Sequence, residues 1–261
     1  MGLFSFSYNK PGPGVSPDTP RKRGVARLLE VLGRDMGPFF KAGFLAVLGA
    51  LPYIVGVALS VITHSLLVLM VAAILGGMIA APQIVGMADT VLRSLRDEPG
   101  FWWHTYRRTW KINARASLIP GAVFGLIFGG EIFLYTHLAS MQAGTGIIIM
   151  LLLAVLLSLG VSNYIWAQIA LLNLPFFTIL KNGMFLFLAY LPVSLGATVV
   201  LAVYWGAVVL LFPISFPVLL LTNFWLPMVP SLLIVYTALD KSFEIEKTLK
   251  EQQEESAESN S

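Results

Sequence analysis

The chain has 261 residues, of which 57% are hydrophobic and only 12% charged, against about 25% charged in an ordinary soluble domain. That balance excludes a soluble globular protein and points to an integral membrane protein. The net charge of +3 does not imply nucleic-acid binding, because the basic residues flank apolar runs and form no soluble face. Cysteine is absent, which excludes disulfides, palmitoylation, thiolate metal sites and cysteine nucleophiles.

Met1 to Val15 lacks the apolar core of a signal peptide, and Phe6 stands where a myristoylation pattern needs Ser or Thr. Residues 1–24 read as a cytosolic, Pro/Gly-rich basic arm. Over residues 25–40, Leu28, Leu29, Val31 and Leu32 alternate with Arg27, Glu30, Arg34 and Asp35. This pattern predicts a short pre-membrane helix lying along the surface.

Three windows are nearly free of charge: 42–88, 116–180 with Glu131 as its one exception, and 182–239. A spanning helix needs about 20 apolar residues, so each window holds a hairpin of two. The expected fold is an all-α polytopic bundle with spans near 42–62, 66–88, 117–137, 146–170, 183–211 and 215–239. Both termini are then cytoplasmic, and the outer connections near His64, Ser140 to Thr145 and Pro213 carry no Lys or Arg. All 17 basic residues fall inside: seven before the first span, six between spans two and three, Lys181, and three in the tail. This is the arrangement the positive-inside rule demands. Residues 25–240 form the membrane domain, and 241–261 a charged cytosolic tail whose end is too polar to fold.

Residues 89–116 form a cytosolic platform of amphipathic helices between spans two and three. Asp89, Arg93 and Asp97 repeat at i, i+4, and Pro99-Gly100 forces a turn. Beyond it Trp103, Tyr106 and Trp110 share one face, with Arg107, Lys111 and Arg115 on the adjoining one. Indole and phenol rings beside basic tips suit a headgroup boundary. The expected docking surface for partner or lipid comprises Arg93, Arg96, Asp97, Trp102, Trp103, Tyr106, Arg107, Arg108, Trp110, Lys111 and Arg115.

Glu131 is the one Asp, Glu, Lys or Arg inside a span. It lies about 21 Å along the helix from Ser117, roughly 9 Å short of the outer face of a 30 Å core. It is a candidate intramembrane polar site, lining a wet cavity, sitting neutral, or lying nearer the surface if its span starts earlier. Gln83, Asn163, Gln168, Asn173 and Asn223 are expected to hydrogen-bond between spans. Pro52, Pro192, Pro227 and Pro230, with Pro82 and Pro217, are candidate hinges, and Gly125, Gly129 and Gly130 mark close helix packing. His64, His104 and His137 form no HxxxH or HExxH pair and read as interface residues. Without a nucleotide-binding loop, nucleophile elbow or metal triad, no enzyme, cofactor or metal site is expected. One echo occurs: Lys41-x-Gly43 with Leu51-Pro52-x-x-x-Gly56 returns 140 residues later as Lys181-x-Gly183 with Leu191-Pro192-x-x-x-Gly196. It is either a parallel repeat of the kind transporters show or chance in a Leu/Gly/Pro-rich chain.

Tyr8-Asn9-Lys10-Pro11-Gly12-Pro13-Gly14-Val15, Pro20-Arg21-Lys22-Arg23-Gly24, Arg96-Asp97-Glu98 with Phe101 and Trp102, Trp110-Lys111-x-Asn113, and Leu180-Lys181-Asn182 with Leu191-Pro192 together resemble the YesL-like bacterial membrane proteins, a domain of unknown function. The chain departs from that pattern in its long Gly/Ala-rich first hairpin and in His104-Thr105-Tyr106, where an acidic-aromatic pair is more usual. The resemblance implies the bacterial cytoplasmic membrane and an association with carbohydrate uptake, often beside binding-protein-dependent sugar importers. The expected function is an accessory or scaffold subunit docking through its cytosolic face. The alternatives are a permease for a sugar-like solute and a membrane-organising protein that binds anionic lipid. Membrane lipids and importer components are the expected partners, with no nucleic acid.

Overall fold

The structure is a computed structural model that describes residues 21–98, 100–211, 214–249 and 251. Pro99, Pro213, most of the basic arm and the end of the tail lie outside the described residues. Among the described residues eight helices follow in order: α1 (Gly24–Thr63), α2 (Leu66–Leu95), α3 (Trp102–His137), α4 (Thr145–Leu171), α5 (Phe176–Ala189), α6 (Leu191–Leu210), α7 (Phe216–Thr222) and α8 (Trp225–Phe243). A helical stretch over 245–249 follows α8. Among the described residues there is no strand, in keeping with the expected all-α class. Five helices among the described residues are long and apolar enough to cross a membrane: α1 to α4, and α6 over Leu191–Val208.

The first half is built from long antiparallel hairpins. His64, in the left-handed region at φ 51°, stops α1, and the Ser65 hydroxyl accepts the Val68 N–H at 3.3 Å to start α2. Small residues then let the backbones approach closely. A Cβ on Gly77 would lie 2.2 Å from the Gly121 carbonyl oxygen, one on Gly125 2.3 Å from that of Ala73, and one on Gly76 2.5 Å from the Tyr53 backbone. Gly125 and Gly129 therefore pack as expected, whereas Gly130 faces open space.

The main apolar cluster joins both halves of the chain through Val31, Phe39, Val85, Leu92, Tyr164, Ile169, Leu232 and Leu239. A smaller one, Val57, Leu69, Ala73 and Phe133, closes α1 to α3 nearer the His64 turn.

Four segments differ from expectation. The platform is not a separate unit: α2 runs through Asp89 to Leu95, and α3 is one helix of 36 residues from Trp102, about 54 Å long. Charge moves a helix out of the bilayer but does not end it, and within α3 only Pro120 could have interrupted the helix. The pre-membrane segment is likewise the beginning of α1, set off by non-helical backbone at Asp35 (φ −117°, ψ 18°). Pro38 lies three residues further on and has no N–H for the Arg34 carbonyl.

The last two expected spans are each interrupted. Tyr190 (φ −113°, ψ 42°) separates α5 from α6 just before Pro192, which leaves the Leu188 carbonyl without its helical donor. Asn223 (φ 31°, ψ −133°) separates α7 from α8, a conformation that Asn tolerates better than most residues.

Candidate functional site: the basic end of the bundle

The start of α1, the α2–α3 connection and the segment after α8 meet at one end of the bundle. Asp97, one residue past the α2 cap and in the left-handed region at φ 58°, is the focus. Its carboxylate accepts from Arg21 Nε at 2.8 Å, from Arg27 at 2.7 Å, and from Arg34. Arg21 also donates to Glu246 at 2.7 Å and to the Arg96 carbonyl at 2.8 Å, and Glu246 in turn accepts from the Tyr236 hydroxyl. Arg27, only 5% exposed, reaches the Leu95 carbonyl at 2.9 Å. Arg34 reaches the Ser94 carbonyl at 2.6 Å, and the Ser94 hydroxyl donates to Asp35. Burial alone would push the Asp97 carboxyl up. Hydrogen bonds from Arg34 and Arg27, and the charges behind them, outweigh that effect and hold it below the ordinary aspartate range.

A second set of pairs lies beside the first. Arg93 bridges Asp89 and Glu98 at 2.9 Å each, Arg96 donates to Glu98 at 2.6 Å, and the Thr109 hydroxyl donates to Asp89 at 2.8 Å. Arg93, Arg96 and Asp97, three members of the expected docking surface, are thus occupied by partners within the chain.

The remaining members divide by face of α3. Tyr106 is buried, its ring against Gly86 and its hydroxyl donating to Gln83 Oε1 at 2.7 Å. The Trp102 ring lies tilted against that of Tyr106, centroids 5.5 Å apart, and under the Lys41 ammonium, 5.6 Å from the ring centroid. Trp110 is half-buried. Arg107, Arg108, Lys111 and Arg115 are exposed and form no ion pair among the described residues. Trp103 and Ile112 stand out beside them, 49% and 65% exposed. At about 100° per residue, Arg108, Lys111, Ile112 and Arg115 share a face with Ile119 and Leu126, both exposed apolar residues. One continuous face of α3 therefore passes from basic to apolar.

The other candidates lie apart from this end. Glu131 is half-buried and accepts from the Ser158 hydroxyl at 2.9 Å, tying α3 to α4. A cavity of 410 Å³ between α1 and α3 is lined by Tyr53, Val57, Val61, Ile132 and Thr136 among others, but not by Glu131. Gln168 bonds the Tyr164 and Ile179 carbonyls, and the Tyr164 hydroxyl meets Ser194 at 2.8 Å, so α4 is joined to α5 and α6 by polar contacts. Pro192 follows a helix break and Pro227 lies in the first turn after one, whereas Pro52 and Pro230 sit inside unbroken helices. The two copies of the internal echo therefore have different backbones at their prolines.

Sequence reasoning did not single out Arg21, Arg27, Arg34 and Glu246 for this site, nor the pairing of His64 Nδ1 with His137 Nε2 at 2.7 Å. These contacts join residues 60 to 225 positions apart, and only the Arg27/Glu30 spacing left a local trace. Comparison of the chain with protein-family models, with curated proteins and with solved structures gives no match.

Proposed function

We propose that this is a multi-pass protein of a bacterial cytoplasmic membrane whose basic end faces the cytosol, where it binds anionic headgroups of the inner leaflet and organises lipid or partner subunits around them. The observation that carries this reading is the division among the basic residues. One group is neutralised inside the chain, while Arg107, Arg108, Lys111 and Arg115 are exposed and form no ion pair among the described residues, and all but Arg107 lie on the α3 face that continues as an exposed apolar stripe. A lipid touching that stripe has its headgroup beside those cations, and each Lys or Arg near an anionic surface contributes about 1 kcal/mol. Six crossings fit if α5–α6 and α7–α8 each count as one interrupted span. The Arg21–Glu246 contact supports an even number by bringing both ends of the described chain together.

Native mass spectrometry of the protein with phosphatidylglycerol and with phosphatidylcholine tests the reading. The wild type is expected to prefer the anionic lipid, and R107Q/R108Q/K111Q/R115Q to lose that preference. Equal preference in the two proteins would refute it.

A second reading, an accessory or scaffold subunit of a carbohydrate-uptake system, is favoured by the resemblance of Arg96-Asp97-Glu98, Trp110-Lys111-x-Asn113 and Leu180-Lys181-Asn182 to YesL-like proteins. Crosslinking in native membranes would then capture importer subunits. Recovery of the protein alone, with glycan-derived sugar uptake unchanged on deletion, would remove this reading.

A further inference from the structure

We propose that residues 24–34 form a hinged flap at the basic end of the bundle, pivoting at Asp35 and latched shut by the convergence of Arg21, Arg27 and Arg34 on Asp97. The inference is independent of which molecule the α3 face binds.

The pivot is visible in the backbone. Asp35 is the one residue inside α1 with non-helical angles. Pro38 deprives the Arg34 carbonyl of its helical donor, so no intact ladder crosses this point. Gly33 and Gly37 flank the pivot, and a Cβ at either would meet nothing within 4 Å. Gly adds backbone freedom on each side of the pivot.

The latch is polar and small. Asp97 belongs to the α2–α3 connection and not to a helix, yet it accepts from all three arginines. Arg27 and Arg34 are further fixed by the Leu95 and Ser94 carbonyls in the last turn of α2, the second of which also accepts the Asp97 N–H at 3.3 Å. Besides Asp97, the acidic groups in contact with these arginines are Glu30, Asp35 and Glu246. The apolar contribution of the flap is modest: Val31 is fully buried, Leu28 and Leu32 are partly so, and they join the cluster that contains Leu95, Leu239 and Ile245. Val25 and Leu29, on the outer side, are 72% and 64% exposed. Segments with few buried apolar contacts open first, so ionic closure decides the position of this one. An open flap would bare the part of the apolar cluster now covered by Val31.

The absence of native cysteine makes the test direct. Spin labels at V25C and H104C, in the full chain reconstituted in lipid nanodiscs, report the flap against the first turn of α3. Labels at L51C and L75C report α1 beyond the pivot against α2. The closed structure predicts one narrow distance for the first pair, and D97N is expected to add a second, longer component. R27Q/R34Q is expected to do the same, while the L51C/L75C distance stays unchanged in every variant. An unaltered V25C/H104C distribution in both D97N and R27Q/R34Q would overturn the proposal. So would a parallel change in the L51C/L75C pair, which would show that the segment opens only with the whole bundle.

Discussion

At the scale of single residues, Asp97 and Arg27 determine how the basic end is held. The Asp97 carboxyl is held below its unfolded value of about 3.9. Its contribution to stability is therefore complete above that value and is lost as the pH falls through the depressed folded value. Hydrogen exchange of residues 24–34 is expected to be flat from pH 7 down to about 4.5, after correction for intrinsic rates, and to accelerate below about 3.9. In D97N it should be fast throughout, and a pH-independent wild type would contradict the assignment. Arg27→Met keeps the apolar stem but leaves the Leu95 carbonyl without its donor and removes one of the cations around Asp97. The expected loss is about 2 kcal/mol, measured by unfolding in mixed micelles. None of this was legible in the sequence. Arg27 and Arg34 read as the polar side of an amphipathic helix, and nothing local tells a solvated arginine from one that crosses to a turn 60 or more positions away.

At the scale of helices, the central contact is the crossing of α2 and α3 through small residues. Gly77→Ala would place a methyl against the Gly121 carbonyl, and overpacking of this kind costs about 1 to 3 kcal/mol. Gly130→Ala meets open space and is expected to be neutral or slightly stabilising through helix propensity. Equal effects from the two substitutions would contradict the crossing. The hairpin pattern of the first four long helices was readable, because apolar windows bounded by charge set the length of each pair. The interruptions at Tyr190 and Asn223 were legible only as candidate hinges at Pro192 and Pro227, since both breaks lie within a charge-free window. Pro52 has the same Leu-Pro context yet sits in continuous helix, so proline alone does not locate a hinge. Glu131 was readable as the one acid in an apolar window, but Ser158, its partner, was not. Glu131→Gln keeps an acceptor for that hydroxyl and should leave stability nearly unchanged. A permease reading would require the same substitution to alter solute flux in proteoliposomes.

At the scale of the whole molecule, the account depends on charge asymmetry. The described basic residues are Arg21 to Lys41 at the front of α1, Arg93 to Arg115 around the α2–α3 connection, Lys181 in α5, and Lys241 and Lys247 at the end of α8. Ion pairs draw three of these regions to one end of the bundle, while the His64 turn and the α3–α4 connection carry no Lys or Arg. The proposed orientation, with the basic end in the cytosol, is the one that the positive-inside rule favours. In that proposal lipid binding at the α3 face and the latch over Asp97 share the cytosolic compartment. Site-directed labelling in the cysteine-free chain tests this most directly, with K111C and S140C probed by a membrane-impermeant maleimide in intact cells and in inverted vesicles. The expected result is that K111C reacts only in inverted vesicles and S140C only in intact cells. Labelling of K111C in intact cells, or of both positions from the same side, would contradict the account.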